Sequence, residues 1–228
     1  MRDRRIVAAI WMATALLGWA GCAKSPPPAE PSGYLGDYSG FEPHPRRPGA
    51  LLYTRPGLDL VHYNRVIVDP VEVALSPEAS GQSIDPEDLD RLSQYMYDAM
   101  VFALRDVYPV VHEPGPDVLR LRVAITDLVP TKPVLNTTET VLGGRLASSA
   151  SRAITGTDLF VGEVAIEAEA LDSVTGEREM ALVERKFGKR FALEDGATTW
   201  GNVEKAFREW AVQFRLTMDR AHRDAPGS

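Results

Sequence analysis

The chain has very little cysteine: Cys22 is the only one in 228 residues. A single thiol excludes an intrachain disulfide and a thiolate cluster around a metal. Histidine is scarce too. His44, His62, His112 and His222 include no pair at the one-turn spacing of a metal-binding helix. Nor is there an excess of positive charge, with 25 Lys and Arg against 32 Asp and Glu and a formal net charge of −7. That balance argues against nucleic acid as a partner, because phosphate binding needs a clustered basic surface. No G-x-S-x-G elbow, phosphate-binding glycine loop or dinucleotide fingerprint occurs, and Thr155-Gly156-Thr157 and Gly143-Gly144 are too short to act as one. These residues lead us to expect no catalytic set, no cofactor and no metal.

Long apolar runs are missing as well, save one that stops short. Met1-Arg2-Asp3-Arg4-Arg5 is net positive, and Ile6 to Trp19 is almost wholly apolar. As a helix that apolar stretch reaches about 21 Å, against about 30 Å of bilayer hydrocarbon. The length fits a secretory leader better than a permanent span. Ala20-Gly21-Cys22 follows and resembles a lipobox, where a cysteine thiol takes diacylglycerol and the chain is cut just before it. The position three before the cysteine is usually Leu; here it is Trp19, with Leu17 two residues further back. The expectation is a signal peptide over residues 1–21, cleavage between Gly21 and Cys22, and acyl chains on the thiol and amine of Cys22. Several chains anchor far more firmly than one, at about 0.8 kcal/mol per buried CH₂. The alternative is an uncleaved apolar N-terminus with an incidental cysteine. Ala23 and Lys24 stand where enterobacterial lipoproteins retained in the inner membrane commonly carry Asp, which by analogy favours the outer membrane.

Proline is concentrated next. Pro26, Pro27, Pro28, Pro31, Pro43, Pro45, Pro48 and Pro56 make residues 22–50 and their margin read as a semi-rigid tether. Tyr34, Leu35, Tyr38 and Phe41 interrupt it. Docking of these aromatics on the domain is favoured over a free recognition segment, because exposed aromatics on a loose tether are costly.

The folded part is expected over residues 51–224, with 225–228 as a disordered tail. Arg65 to Leu75 reads as a strand, which Pro70 confines to an edge or bulge. Asp85-Pro86-Glu87-Asp88 is a helix start, with Asp85 as cap, and the helix runs to about Asp106. Leu89, Leu92, Met96, Ala99 and Ala103 form its apolar stripe, widened by Tyr95 and Phe102. Leu119 to Thr126 alternates as a long strand. Glu163 to Leu171 alternates again and turns through Asp172–Glu177 into Met180–Phe187. Val203, Phe207, Trp210, Phe214, Thr217 and Ala221 trace one side of a closing helix, entered through Thr198–Asn202. The sum is a single α/β (α+β) domain, with a mostly antiparallel or mixed sheet of about five to six strands packed by two main helices.

Two features bear on function. Glu163, Glu167 and Glu169 form an acidic row able to face Arg120 and Arg122 across neighbouring strands. Such regular alternation reads as a solvated sheet face more readily than as a pair of catalytic carboxylates, which need unlike environments in a cleft. The connector Thr131–Gly162, with its run Ala147-Ser148-Ser149-Ala150-Ser151, is long enough to be either a binding loop or a plain crossover.

Ser32-Gly33-Tyr34-Leu35-Gly36-Asp37-Tyr38-Ser39, Val68-Asp69-Pro70-Val71, Pro114-Gly115-Pro116-Asp117-Val118-Leu119-Arg120, Thr155-Gly156-Thr157 and Asp172-Ser173-Val174-Thr175-Gly176-Glu177 occur in that order. Together they resemble the bacterial lipoprotein family catalogued as domain of unknown function 3313. The resemblance implies a lipoprotein address and one domain, and carries over no catalytic residues. The expectation is therefore a non-enzymatic envelope lipoprotein, held at the periplasmic face of the outer membrane through Cys22, whose domain binds or supports another envelope protein. The alternative is a periplasmic enzyme or small-ligand binder using the 131–162 loop.

Overall fold

The computed structural model describes residues 29–75, 84–129, 163–187 and 200–224. The elements in chain order are β1 (Glu42–Pro43), β2 (Leu51–Thr54), β3 (Arg65–Val68), β4 (Glu72–Val73), α1 (Pro86–Leu104), β5 (Val118–Val129), β6 (Glu163–Asp172), β7 (Arg178–Phe187) and α2 (Gly201–Arg223). The strands form one seven-stranded sheet in the order β1-β2-β7-β6-β5-β3, with β4 also paired to β5. All pairings are antiparallel except those of β3 and β4 with β5. The expected mixed α+β domain with two helices is what folds.

The helices cover one sheet face. Strand β5 sends Leu119, Leu121, Val123 and Ile125 into the core, and then Leu128 instead of residue 127. The shift follows from a register irregularity between Ile125 and Asp127, where one extra residue reverses the alternation. Opposite them lie Leu92, Met96, Met100 and Leu104 of α1, and Val203, Phe207, Trp210 and Ala211 of α2. The Asp85 carboxylate accepts the Glu87 N–H at 3.0 Å, and Pro86 opens the helix where no donor is missed.

Phe102 departs from expectation: it is 67% exposed, and the helix ends at Leu104. At 100° per residue it lies about 140° from the centre of the Leu92–Leu104 stripe. The Arg105 guanidinium stacks over its ring at 4.8 Å. Arg65–Leu75 also differs from one continuous strand. Around Pro70 it divides into β3 and β4, both on the parallel edge of the sheet.

The second sheet face is covered by the chain's own N-terminal segment. Ala29 is 2% exposed and donates its N–H to the Gly49 carbonyl at 2.8 Å. Leu35 is buried with Ala181 and Val183 of β7, and Tyr34, Tyr38, Phe41, Leu51 and Tyr53 pack around them. Phe41 bridges Tyr38 and Tyr53 at ring separations of 5.5 and 5.8 Å. Gly40 adopts φ 77° directly against the Tyr53 ring, where a side chain would be strained. From Ala29 onward, the stretch expected as a tether over 22–50 is thus folded against the sheet. The fold starts well before residue 51, because these aromatics gain more by burial than by solvation. The leader, Cys22, the 131–162 connector, Thr198 and the tail lie outside the described residues.

Candidate functional site

The acidic row does not form a solvated face. Glu167 is fully buried and Glu169 is 6% exposed, since the N-terminal segment, here termed the strap, lies over them. Alternation correctly placed these acids opposite the apolar core; it carried no signal of what would cover them. The Glu167 carboxylate accepts the N–H groups of Ser32 and Leu35 and the Tyr38 hydroxyl. Burial, and the hydrogen bond to Glu167, push the Tyr38 phenol above its ordinary value.

Glu169 is gripped from two strands. It accepts Arg122 Nη1 at 2.7 Å and Arg178 Nε at 2.8 Å. The register sets Arg122 opposite Glu169, so the expected cross-strand pairing holds at this position. Arg178 also donates to the strap carbonyls of Leu35 and Asp37, each at 2.7 Å. Glu163 and Asp127 share Arg185, each at 3.0 Å, and burial raises the Glu163 carboxyl above its usual range. These carboxylates are neutralised by groups of the chain itself, and the geometry is that of a polar mortar between sheet and strap. A buried charge is tolerated only when so paired.

A second cluster lies at the β6–β7 bulge, where Glu179 is the extra residue. The buried Tyr63 hydroxyl donates to Asp172 at 2.9 Å and lies 3.1 Å from Glu179, and Arg55 Nε reaches Glu179 at 2.9 Å. Burial opposes ionisation of Asp172. The Thr175 and Val174 N–H groups and the Tyr63 and Thr175 hydroxyls outweigh it and hold the carboxyl below its ordinary value. Ionised Asp172 therefore stabilises the fold at neutral pH. That contribution fades as pH falls from the unfolded value near about 3.9 through the lower folded one. Asp172→Asn is expected to flatten the acid limb of stability, followed by urea midpoints from about pH 5 down to about pH 2. An acid limb as steep as the wild type's contradicts this.

No histidine comes beside the acidic row. His62 stacks on Tyr63 at 3.8 Å and sits 4.0 Å from Asp59. His44 Nδ1 and Nε2 lie 3.1 Å from the Arg46 N–H and from Arg47 Nε respectively, and burial and the Arg47 charge lower its basicity. His222 Nδ1 lies 2.9 Å from the Met218 carbonyl. Among the described residues no three His, Cys, Asp or Glu side chains converge as metal ligands.

His112 is exposed and lines an open cleft. A cleft of about 380 Å³ lies at the parallel edge of the sheet, between the β3–β4 break, one side of α1 and the turn that holds His112 and Pro114. Asp69, Tyr97 and Arg120 also line it. Sequence reasoning singled out Pro70 as a break and Arg120 as half of a charge row, but did not join them. Arg120 pairs with Asp69 Oδ2 at 2.8 Å, away from the acids expected to face it.

Residues 30–214 match the family model described as "Protein of unknown function (DUF3313)". The chain belongs to that family. The match takes in the strap and most of α2, so the family's domain includes the N-terminal layer. The "Uncharacterized lipoprotein YdcL" of Escherichia coli K12 is 26% identical over 204 residues, covering 88% of this chain and 91% of that protein. Among solved structures, a PelC dodecamer from Paraburkholderia phytofirmans covers 73% of this chain and 95% of its own, at 11% identity and TM-score 0.39. Protein XCC0632 from Xanthomonas campestris covers 75% and 92%, at 12% identity and TM-score 0.40. Likenesses this loose carry no argument about assembly.

Proposed function

We propose that the protein is a bacterial envelope lipoprotein, cut between Gly21 and Cys22 and acylated on Cys22. In this reading its domain serves as a non-enzymatic binding or assembly-support module at the periplasmic face of the outer membrane. The observation that carries the anchor is the short apolar leader ending in Ala20-Gly21 before the lone cysteine. The lipoprotein name of the Escherichia coli relative supports it. The module reading draws on the buried carboxylates, whose acceptor capacity is spent on the strap and on cross-strand arginines.

Residues 23–28 are all that separate Cys22 from the folded Ala29. Even fully extended, that stretch spans about 25 Å. An acylated Cys22 therefore holds the strap end of the domain close to the bilayer, on a short leash. The second reading, a small-ligand binder, is favoured by the open cleft beside His112.

Intact mass with membrane fractionation of wild type and Cys22→Ala tests the anchor. The wild type is expected in the membrane fraction, with a mass that starts at residue 22 plus acyl groups. Cys22→Ala is expected to lose that lipid mass. A native molecule that retains Met1, or carries a bare thiol at residue 22, overturns the proposal.

A further inference from the structure

The cleft owes its shape to one extra residue. Val68 pairs with Leu121 and Glu72 with Ala124, so four steps along the edge chain face three along β5. Pro70, which has no N–H to donate, sits in the bowed stretch, and the edge chain swings away from β5 there. Tyr97 of α1 and His112 close the other sides of the space.

Arg120 is held there with donors to spare. Its Nε is committed to Asp69, whose own N–H is fixed on the Leu121 carbonyl at 3.0 Å. The Arg120 side chain is 44% exposed, and neither terminal nitrogen has a hydrogen-bond partner among the described residues. The same holds for the Tyr97 hydroxyl and the His112 ring. Apolar wall comes from Ile67, Pro70 and Val71. Ser93 and Gln94 add polar lining, and donors beside apolar wall at about this volume suit a small polar molecule.

From this arrangement we infer that the cleft binds a small carboxylate-bearing molecule of roughly dipeptide size, its carboxylate received by the free fork of Arg120. The planar guanidinium matches a carboxylate with two parallel hydrogen bonds. Asp69, already on the same guanidinium, offsets much of its charge, so a doubly charged anion such as phosphate, which costs more to desolvate, is disfavoured against a singly charged carboxylate. The Tyr97 hydroxyl and His112 ring are placed to hydrogen-bond the rest of the ligand. This inference does not depend on the state of Cys22.

The test is a titration of the full-length chain in detergent, with backbone amide shifts of residues 67–69, 71 and 112 as the readout. The probes are N-acetylalanine, its neutral amide and inorganic phosphate. N-acetylalanine is expected to give saturable shifts at these residues, with the amide and phosphate each binding at least tenfold more weakly. Arg120→Gln is expected to weaken N-acetylalanine binding at least tenfold. Arg120→Lys keeps the charge beside Asp69 but lacks the fork, and is expected to weaken it several-fold. Absence of saturable shifts in the wild type overturns the site. Equal binding of the amide or of phosphate overturns the carboxylate assignment. Full affinity in Arg120→Lys overturns the role of the fork.

Discussion

A chain beginning at residue 42, and so lacking strap residues 29–41, is expected to lose about 5 kcal/mol of unfolding free energy. The loss follows from burial. Leu35 is 6% exposed, and Tyr34, Tyr38 and Phe41 pack against Ala181, Val183 and Tyr53. Burial contributes about 1.5–3 kcal/mol for each large apolar side chain taken fully out of water, and less for those half-buried. Water can hydrate Glu167 and Glu169 once the strap is gone, so no isolated-charge penalty is added. A loss of this size is a large share of the roughly 5–15 kcal/mol that holds a typical domain together. Urea unfolding of the shortened and full chains measures it. A difference under about 1 kcal/mol would make the strap a passive passenger.

Glu167→Ala in the intact chain is expected to cost about 3 kcal/mol. Here the strap stays in place while its acceptor disappears, which leaves the Ser32 N–H and the Tyr38 hydroxyl facing a void, while the Leu35 N–H keeps only the Tyr38 oxygen at 3.2 Å. Each hydrogen bond to a charged group is worth about 1.5–3 kcal/mol, and relaxation of the strap recovers part of the total. Glu167→Gln keeps one acceptor oxygen but turns an amide donor toward other donors, so an intermediate loss is expected. Glu177→Ala is the control. Its carboxylate is 60% exposed and 4.0 Å from Arg55, and the change is expected to stay within about 0.5 kcal/mol. Equal losses at residues 167 and 177 in urea titrations would contradict the buried role of Glu167.

The elements whose signals are local were legible in the sequence. The Asp85 cap, the alternation of β5, and the turn from Asp172 to Glu177 each rest on neighbouring residues, and each folds as its pattern implied. The acidic row shows where such reasoning ends. A period of two separates the faces of β6, but the cover over Glu167 comes from Ser32, Leu35 and Tyr38, more than 125 residues earlier in the chain. The aromatics that dock there are spaced by Gly and Ser, with neither helical nor strand periodicity, so docking could be favoured but its partner could not be named. The cleft was harder still. It depends on a register offset between two short strands and β5, a quantity set by tertiary packing.

Amide hydrogen exchange at Ser32 and Leu35 in the native protein addresses most directly whether the N-terminal segment is a structural layer. If it is, both amides are protected to the same order as β6 and lose that protection in Glu167→Ala. Exchange at the rate of an unstructured chain, in a molecule whose β6 amides remain protected, would return residues 29–41 to the status of a loose spacer.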